Sequence, residues 1–190
     1  MTRAVLVTTL AILLVPVGAA AQESGDIGVA MGYPANIGVI YHASDRIAIR
    51  PEMNFSWQST EDLDDRSNRE DTRTSFGFGL SGLFYTSKND NLRTYLSPRF
   101  TYTRSRADIA FSDTQTAETD ADSYQLSASF GAQYSLGTKF AVFGEAGVAY
   151  SWLEATSFSG LSLPNVGNRD NDEGRAFGTR TAVGVVFYFN

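Results

Sequence analysis

The chain has 190 residues, 43% of them hydrophobic and 13% aromatic, with a formal net charge of −6 and no cysteine. A single compositional regime of this length corresponds to one domain, and the acidic balance argues against nucleic acid as a partner. Because cysteine is missing, disulfides, thiolate metal sites and a lipid anchor on an acylated cysteine are excluded.

Residues 1–21 have the organisation of a cleaved secretory signal peptide. Arg3 precedes a short apolar run, Ala4–Val15, and Ala19–Ala21 supply an A-x-A cleavage site. The apolar run is shorter than the ~20 residues that a membrane-spanning helix needs. We therefore expect residues 1–21 to be removed on export and residues 22–190 to form one domain.

Downstream of the signal peptide, apolar and polar residues alternate with a period of two along almost the whole chain. The clearest case is residues 123–136, where Tyr124, Leu126 and Phe130 are interleaved with serine, glycine and glutamine. This alternation predicts β-strands with one apolar and one polar face. The predicted strands reach about 12–15 residues, longer than the mode of about 5–6 in soluble proteins and long enough for a tilted membrane strand.

Two kinds of connection alternate between the predicted strands. Tight polar turns are expected at Ser44-Asp45, 87–91 and Gly137-Thr138, and long polar loops at 59–71, 107–121 and 156–174. Short turns at one end and long loops at the other are typical of outer-membrane barrels.

The number of strands depends on Pro34-Ala35-Asn36. The apolar residues between Ile27 and Tyr41 share one phase across this tripeptide, which fits either one kinked strand or a tight hairpin. The first interpretation gives seven strands and the second gives eight. Single-chain bacterial barrels have even strand numbers, so we predict an all-β fold: an eight-stranded antiparallel up-and-down transmembrane β-barrel.

The apolar face of the strands could point into the barrel or out of it. An inward apolar face would indicate a secreted lipocalin-like ligand binder. An outward apolar face places aromatic side chains in two belts, as expected at membrane interfaces, and we favour it. Trp57, Tyr102, Tyr124, Tyr150 and Trp152 form the belt next to the long loops, and Tyr134, Phe140 and Phe187 form the belt next to the tight turns.

The polar faces carry charged residues near mid-strand, which an outward apolar face would place in the lumen. They are Arg50, Glu52, Arg73, Arg93, Arg99, Glu145 and Arg180. Eight strands leave a lumen that side chains can fill, and a buried charge without a partner is costly. We therefore expect Glu52 and Glu145 to pair with some of the arginines and plug the barrel. The alternative is a small ion-selective outer-membrane pore.

The predicted long loops hold most of the acidic residues, which ordinarily indicates solvated surface segments. The oxygen ligands that divalent cations prefer occur at Asp62, Asp64 and Asp65, and at the cluster Asp170-Asn171-Asp172, but neither group follows the calcium-loop spacing. We therefore predict no metal site and no cofactor. His42 is the only histidine and lies beside a tight turn, so we expect a polar role there and no enzymatic activity.

The C-terminal segment resembles the assembly signal of outer-membrane barrels through Gly184, Phe187 and Phe189, although Ala182 and Asn190 depart from its usual pattern. With Arg50-Pro51-Glu52 after a tight turn, the chain is similar to the small outer-membrane β-barrel family of opacity-type proteins and the OmpA membrane domain. The resemblance implies a Gram-negative outer-membrane location, insertion by the barrel-assembly machinery, and contact with membrane lipid and lipopolysaccharide. It further implies a structural or surface-interaction role, with an unidentified extracellular ligand.

Overall fold

The computed structural model describes residues 24–34, 36–64, 67–89, 91–112, 115–161 and 167–189. Each of its eight strands pairs antiparallel with the next, and the last closes onto the first. The strands are β1 Ile27–Tyr33, β2 Asn36–Ser44, β3 Ile47–Asp64, β4 Ser67–Asn89, β5 Leu92–Ser112, β6 Gln115–Ser135, β7 Phe140–Leu161 and β8 Gly167–Tyr188. The predicted signal peptide, residues 1–21, lies outside the described residues.

The predicted eight-stranded up-and-down barrel is confirmed, including the hairpin at Pro34. The strand β1 ends at Tyr33 and β2 begins at Asn36, and β1 then closes the ring by pairing with β8 from Gly28↔Tyr188 to Tyr33↔Val183. We call the end of the barrel with the connections β2–β3, β4–β5 and β6–β7 the turn end, and the opposite end the hairpin end.

The predicted long loops at 59–71, 107–121 and 156–174 are wrong. The strands continue through these segments as antiparallel ladders, which run out to Asp64↔Ser67, Ser112↔Gln115 and Gly160↔Gly167, with a register shift between Ala110 and Ser112. Beyond a membrane both faces of such a strand meet water, so polar residues occupy both faces and the period of two disappears. The strands consequently reach 18 to 23 residues from β3 to β8.

The barrel wall has unequal heights because β1 and β2 have only 7 and 9 residues. The β2–β3 ladder begins at Ile37↔Met53, and the β1–β8 ladder ends at Tyr33↔Val183. Among the described residues, those of β3 after Met53 therefore have no partner on the β2 side. Those of β8 before Val183 similarly have none on the β1 side. We call this gap in the wall, above the β1–β2 hairpin, the notch.

The outward face of the barrel is a wide apolar surface. Its large hydrophobic side chains include Ile49, Met53, Phe78, Leu126 and Phe130, all more than 40% exposed. A contiguous apolar surface of this extent is unfavourable in water and is typical of a lipid-facing barrel wall. No helix of the described chain is long and apolar enough to cross a membrane.

The interior differs between the two ends of the barrel. Near the turn end it is packed with buried apolar and aromatic side chains: Ile40, Leu83, Tyr85, Tyr95, Phe143, Val186 and Tyr188. This end of the lumen therefore holds apolar and aromatic side chains in addition to the polar ones that the sequence predicts. Charged side chains fill the middle of the barrel, next to this apolar cluster on the side of the hairpin end.

Candidate functional site

A group of five charged side chains lies in the middle of the lumen, and we call it the lumenal ion network: Arg50, Glu52, Arg99, Glu145 and Arg180. Arg50 is central, since its Nη2 donates to Glu145 Oε1 at 2.6 Å and its Nε lies 2.7 Å from Glu52 Oε1. Arg180 Nη1 donates to Glu145 Oε2 at 2.9 Å, and the Arg99 guanidinium pairs with Glu52 Oε2. Each carboxylate is thus held by two arginines.

The strand register brings these side chains together. Arg50 and Glu52 are two residues apart on β3, so both face the lumen. Glu145 lies on β7, on the far side of the lumen from Arg50. Its partner on the adjacent strand β6 is Gly131, and the ring of Tyr95 covers Gly131. A Cβ at Gly131 would overlap that ring. The glycine therefore lets Tyr95 lie flat and donate its hydroxyl to Glu145 Oε1 at 3.1 Å.

Almost no solvent reaches the lumenal ion network. The side chains of Glu145 and Arg50 are 0% and 2% exposed, and that of Arg180, the most exposed member, is 12% exposed. Burial of charge is costly unless geometry and hydrogen bonding compensate, and the short ion pairs supply that compensation. Three arginines face two glutamates, so the network has a formal charge of +1.

A second group of buried side chains, polar and mostly aromatic, lies between the lumenal ion network and the turn end, and we call it the aromatic layer. It consists of His42, Tyr85, Tyr95, Gln133 and Tyr188. Gln133 Nε2 donates to the Tyr188 hydroxyl at 3.0 Å, which lies 3.2 Å from His42 Nε2. The His42 ring also stacks on Tyr85 with centroids 5.6 Å apart.

The location of His42 corrects the sequence-based expectation. It is 0% exposed and packs inside the barrel, although only two residues separate it from the turn at Asp45. The alternation along β2 would have found this, since His42 shares the phase of Gly38 and Ile40, both buried.

Two predicted members lie outside the lumenal ion network. Arg93 is buried near the turn end, with its guanidinium 5.6 Å from the centroid of the Tyr85 ring. Arg73 lies opposite Gln58 on the exposed part of β4, where its Nε and Nη2 each donate to Asp71 at 3.1 Å. The hydrogen bonds and charge of Asp71 raise the pKa of Arg73. The prediction that Arg73 lies in the plugged lumen is wrong because β4 extends past the lumen.

The predicted aromatic residues lie on the outward face. Tyr102, Tyr124 and Trp152 are directly opposite one another on β5, β6 and β7, and Tyr124 stacks on Trp152 with centroids 5.7 Å apart. The ring centroids of Tyr150 and Trp152 are 6.0 Å apart. Trp57 is exposed on β3. This arrangement is the one expected at a membrane interface.

A row of charges immediately follows this aromatic row toward the hairpin end. Arg104, Asp122, Glu154 and Glu173 lie opposite one another in that order on β5 to β8. The Tyr102 hydroxyl donates to Asp122 Oδ1 at 2.6 Å. Because outward charges are costly in hydrocarbon, the step from aromatic to charged rows marks the edge of the lipid-facing surface.

The aromatic residues predicted near the turn end lie opposite apolar residues of neighbouring strands. Phe140 and Phe187 are directly opposite each other on β7 and β8, and Tyr134 lies opposite Leu92. Phe187 and Phe189 contact edge to face with centroids 5.4 Å apart. Gly184 of the predicted assembly signal lies opposite Phe143, whose ring occupies the space that a Cβ would need.

The cation-binding candidates receive little support. Asp65 lies outside the described residues, as do the side chains of Asp62 and Asp64. In the second cluster, Asn171 Oδ1 accepts a hydrogen bond from Thr156, and Asp170 Oδ1 accepts one from the Asn171 amide. The described residues contain no group of three or more His, Asp or Glu that could hold a metal.

The closed ring, the outward apolar wall and the buried polar lumen define a transmembrane β-barrel of the outer-membrane type. No protein-family model and no curated protein match the sequence. Among solved structures, the chain is similar to a major outer membrane protein from Thermus thermophilus at 12% identity and a TM-score of 0.61. That match covers 86% of this chain and 99% of the other. A second match is CarO of Acinetobacter baumannii, at 10% identity and a TM-score of 0.41, covering 87% and 98% of the two chains. The chain therefore has the fold of the small outer-membrane β-barrels, and the first match carries this assignment.

Proposed function

We propose that this protein is a non-enzymatic outer-membrane barrel with a closed lumen. The parts of β3 to β8 that lie beyond the row of Tyr102, Tyr124 and Trp152, toward the hairpin end, form a rigid β-sheet outside the membrane that serves surface interactions, and we call this sheet the platform. The observation that carries the proposal is the continuation of the β5–β6 ladder beyond Tyr102↔Tyr124, from Thr103↔Ser123 to Ser112↔Gln115. A barrel that only crosses the membrane has no need of strands of this length.

The platform is polar and carries charges of both signs. Arg106 illustrates this, since it donates to Asp108 Oδ1 and to Glu118 Oε2, each at 3.2 Å. Paired strands fix the positions of such side chains far better than mobile loops do. A surface of fixed charges suits recognition of a partner with complementary charge.

Hydrogen exchange tests the platform. Amides of residues 103–110 and 117–123, measured in lipid nanodiscs, are expected to be protected because each strand lies between two paired neighbours. The amides of β6 between Tyr124 and Tyr134, inside the lipid-facing wall, serve as the protected reference. Exchange of the platform amides at the rate of an unstructured chain would refute the proposal.

The closed lumen is supported by the lumenal ion network and the aromatic layer, which succeed each other along the barrel axis. Purified protein in planar bilayers is therefore expected to give no large, reproducible unitary conductance. A double variant, Arg50→Ala with Tyr95→Ala, removes one bulky side chain from each layer and is expected to conduct. Arg73→Ala, which changes an exposed arginine of the platform, is the matched control and should stay closed. Reproducible conductance steps from the unmodified protein would instead support the small-pore function.

The membrane environment belongs to the same proposal. The outward apolar wall would contact outer-membrane lipid and lipopolysaccharide, and the barrel-assembly machinery would insert the exported chain after removal of residues 1–21. Cell fractionation tests both parts, because the protein should be found in the outer-membrane fraction with an N-terminus at Gln22. Recovery of the protein in the soluble fraction without detergent would favour the lipocalin-like alternative.

A further inference from the structure

The notch in the barrel wall contains a pocket of about 380 Å³. Four strands contribute to it, since its walls come from β1, β2, β3 and β4. The lining residues are Met31, Gly32, Asn36, Ile37, Met53, Asn54, Phe55 and Phe76. We call it the wall pocket.

The wall pocket is built from both faces of the barrel wall. Met31, Ile37, Met53, Phe55 and Phe76 belong to the outward apolar face and are 52–66% exposed. Their neighbours Gly32, Asn36 and Asn54 have the opposite phase along their strands and belong to the lumenal face. The pocket therefore lies where the outward face of β1 to β4 meets the edge of the notch.

Glycines make room for the polar part of the wall pocket. A Cβ at Gly77 would lie 2.6 Å from Asn54 Oδ1 and 2.9 Å from Thr103 Oγ1, and a Cβ at Gly32 would lie 3.1 Å from Asn36 Oδ1. The two carboxamides can therefore lie close against the backbone of the wall. Each offers two N–H donors and one carbonyl acceptor at the inner end of an otherwise apolar pocket.

The charge behind the wall pocket is positive. The lumenal ion network has three arginines for two glutamates, and Arg180 is on β8, the strand that borders the notch, three residues before Val183. Asn54 on the other border is two residues beyond Glu52, which is already paired with Arg50 and Arg99. An anionic group that enters the notch would thus meet amide donors and an excess of guanidinium charge.

We propose that the wall pocket binds one alkyl chain of a single-chain amphiphile, a fatty acid, whose carboxylate lies in the notch beside Asn54 and Arg180. Its outer part faces the hydrocarbon of the membrane, which supplies the chain. A cavity of about 150 Å³ holds one benzene ring, so the volume of the wall pocket suits on the order of fifteen carbons, which means one chain and not the two of a phospholipid. The volume also falls within the range of about 300–1,000 Å³ that is usual for small-molecule sites.

Fluorescence quenching provides the test, because the chain has only two tryptophans and Trp57 is two residues beyond Phe55. A Trp152→Phe variant, reconstituted in phosphatidylcholine nanodiscs, leaves Trp57 as the sole tryptophan. Dibrominated stearic acid is expected to quench Trp57 saturably. The reciprocal variant, Trp57→Phe, should show only weak quenching, linear in the amount of acid, because Trp152 is on β7, which contributes no residue to the pocket.

Variants of the pocket separate specific binding from general contact with lipid. In the Trp152→Phe background, Met53→Phe fills the pocket and is expected to lower the affinity for the brominated acid about tenfold. Ile49→Phe, an outward substitution on the same strand away from the pocket, is the matched control and should leave affinity unchanged. Heat-modifiable migration on a gel establishes that each variant forms a barrel.

The head group is tested with the methyl ester of the same brominated acid and with dibrominated phosphatidylcholine. Arg180→Gln is expected to weaken binding of the acid about tenfold, the usual effect of losing a charge-assisted hydrogen bond, and to leave the ester unaffected. Equal saturable binding of acid and ester would overturn the carboxylate assignment. Linear quenching by all three probes, or a Met53→Phe variant indistinguishable from Ile49→Phe, would overturn the site itself.

Discussion

Removal of the Glu145 carboxylate is the most direct test of the lumenal ion network. In Glu145→Ala, Arg50 and Arg180 both lose an ion pair, of 2.6 Å and 2.9 Å respectively, and the Tyr95 hydroxyl loses its acceptor. The side chains of Glu145 and Arg50 are 0% and 2% exposed, so solvent cannot replace the lost partner at Arg50. Breaking a buried pair from one side costs about 3–5 kcal/mol, and we expect a loss of folding free energy of that order.

The assay is equilibrium unfolding in urea of the barrel refolded into lipid vesicles, followed by tryptophan fluorescence and heat-modifiable migration. Glu145→Gln keeps the size of the side chain and one carbonyl acceptor, so its loss should be smaller than that of Glu145→Ala. Arg73→Ala removes an exposed pair and should leave the transition unchanged, because exposed pairs contribute little. A Glu145→Ala transition that coincides with that of Arg73→Ala would refute the assignment of stability to the network.

Two glycine substitutions test the packing of aromatic rings across the strands. Gly131→Ala should displace the Tyr95 ring and destabilise the barrel by about 1–3 kcal/mol, the usual cost of overpacking. Gly144→Ala is the matched control in the same urea assay, because a Cβ at Gly144 meets nothing within 4 Å. Gly184→Ala should destabilise the pairing of β8 with both of its neighbours, because the added Cβ would overlap the Met31 carbonyl oxygen on β1 and the Phe143 ring on β7, even when refolding is carried out without the assembly machinery. Normal stability of purified Gly184→Ala would instead assign this glycine to recognition by that machinery alone.

The sequence predicts the order of the strands because each lipid-facing segment alternates cleanly between apolar and polar residues. Their number needed a further argument, since the alternation allows seven or eight and the even strand number of single-chain barrels selects eight. The sequence underestimates their length because the platform strands face water on both sides. Residues such as Asp108, Glu118 and Asp120 then resemble a solvated loop, although all three lie within ladders. Threonine was a remaining signal in 107–121 alone, where Thr114, Thr116 and Thr119 occur, since β-branched residues favour strands.

The composition of the lumen could be predicted more readily than its geometry. The cost of an unpaired buried charge requires Glu52 and Glu145 to have arginine partners, and the structure places partners beside both. Which arginines pair depends on the height of each strand in the barrel, which the period of two does not specify. Arg73 and Arg180 illustrate this, because both have the lumenal phase, yet the first lies on the platform and the second in the network.

The short β1–β2 hairpin links the two proposals. It opens the wall on the hairpin-end side of Tyr33 and Ile37. The aromatic layer closes the barrel on the turn-end side of that level, and the lumenal ion network, whose Arg180 lies on the part of β8 that borders the notch, closes it at that level. A molecule that enters through the notch therefore meets the arginines of the network on the side of the turn end and open space on the side of the hairpin end. A fatty acid could therefore exchange between the membrane and the cell surface through the notch. Its passage toward the turn end would require Arg50 and Tyr95 to move. Binding at the wall pocket and a closed lumen are thus compatible in one barrel, and Arg50→Ala with Tyr95→Ala should open the lumen without removing the pocket.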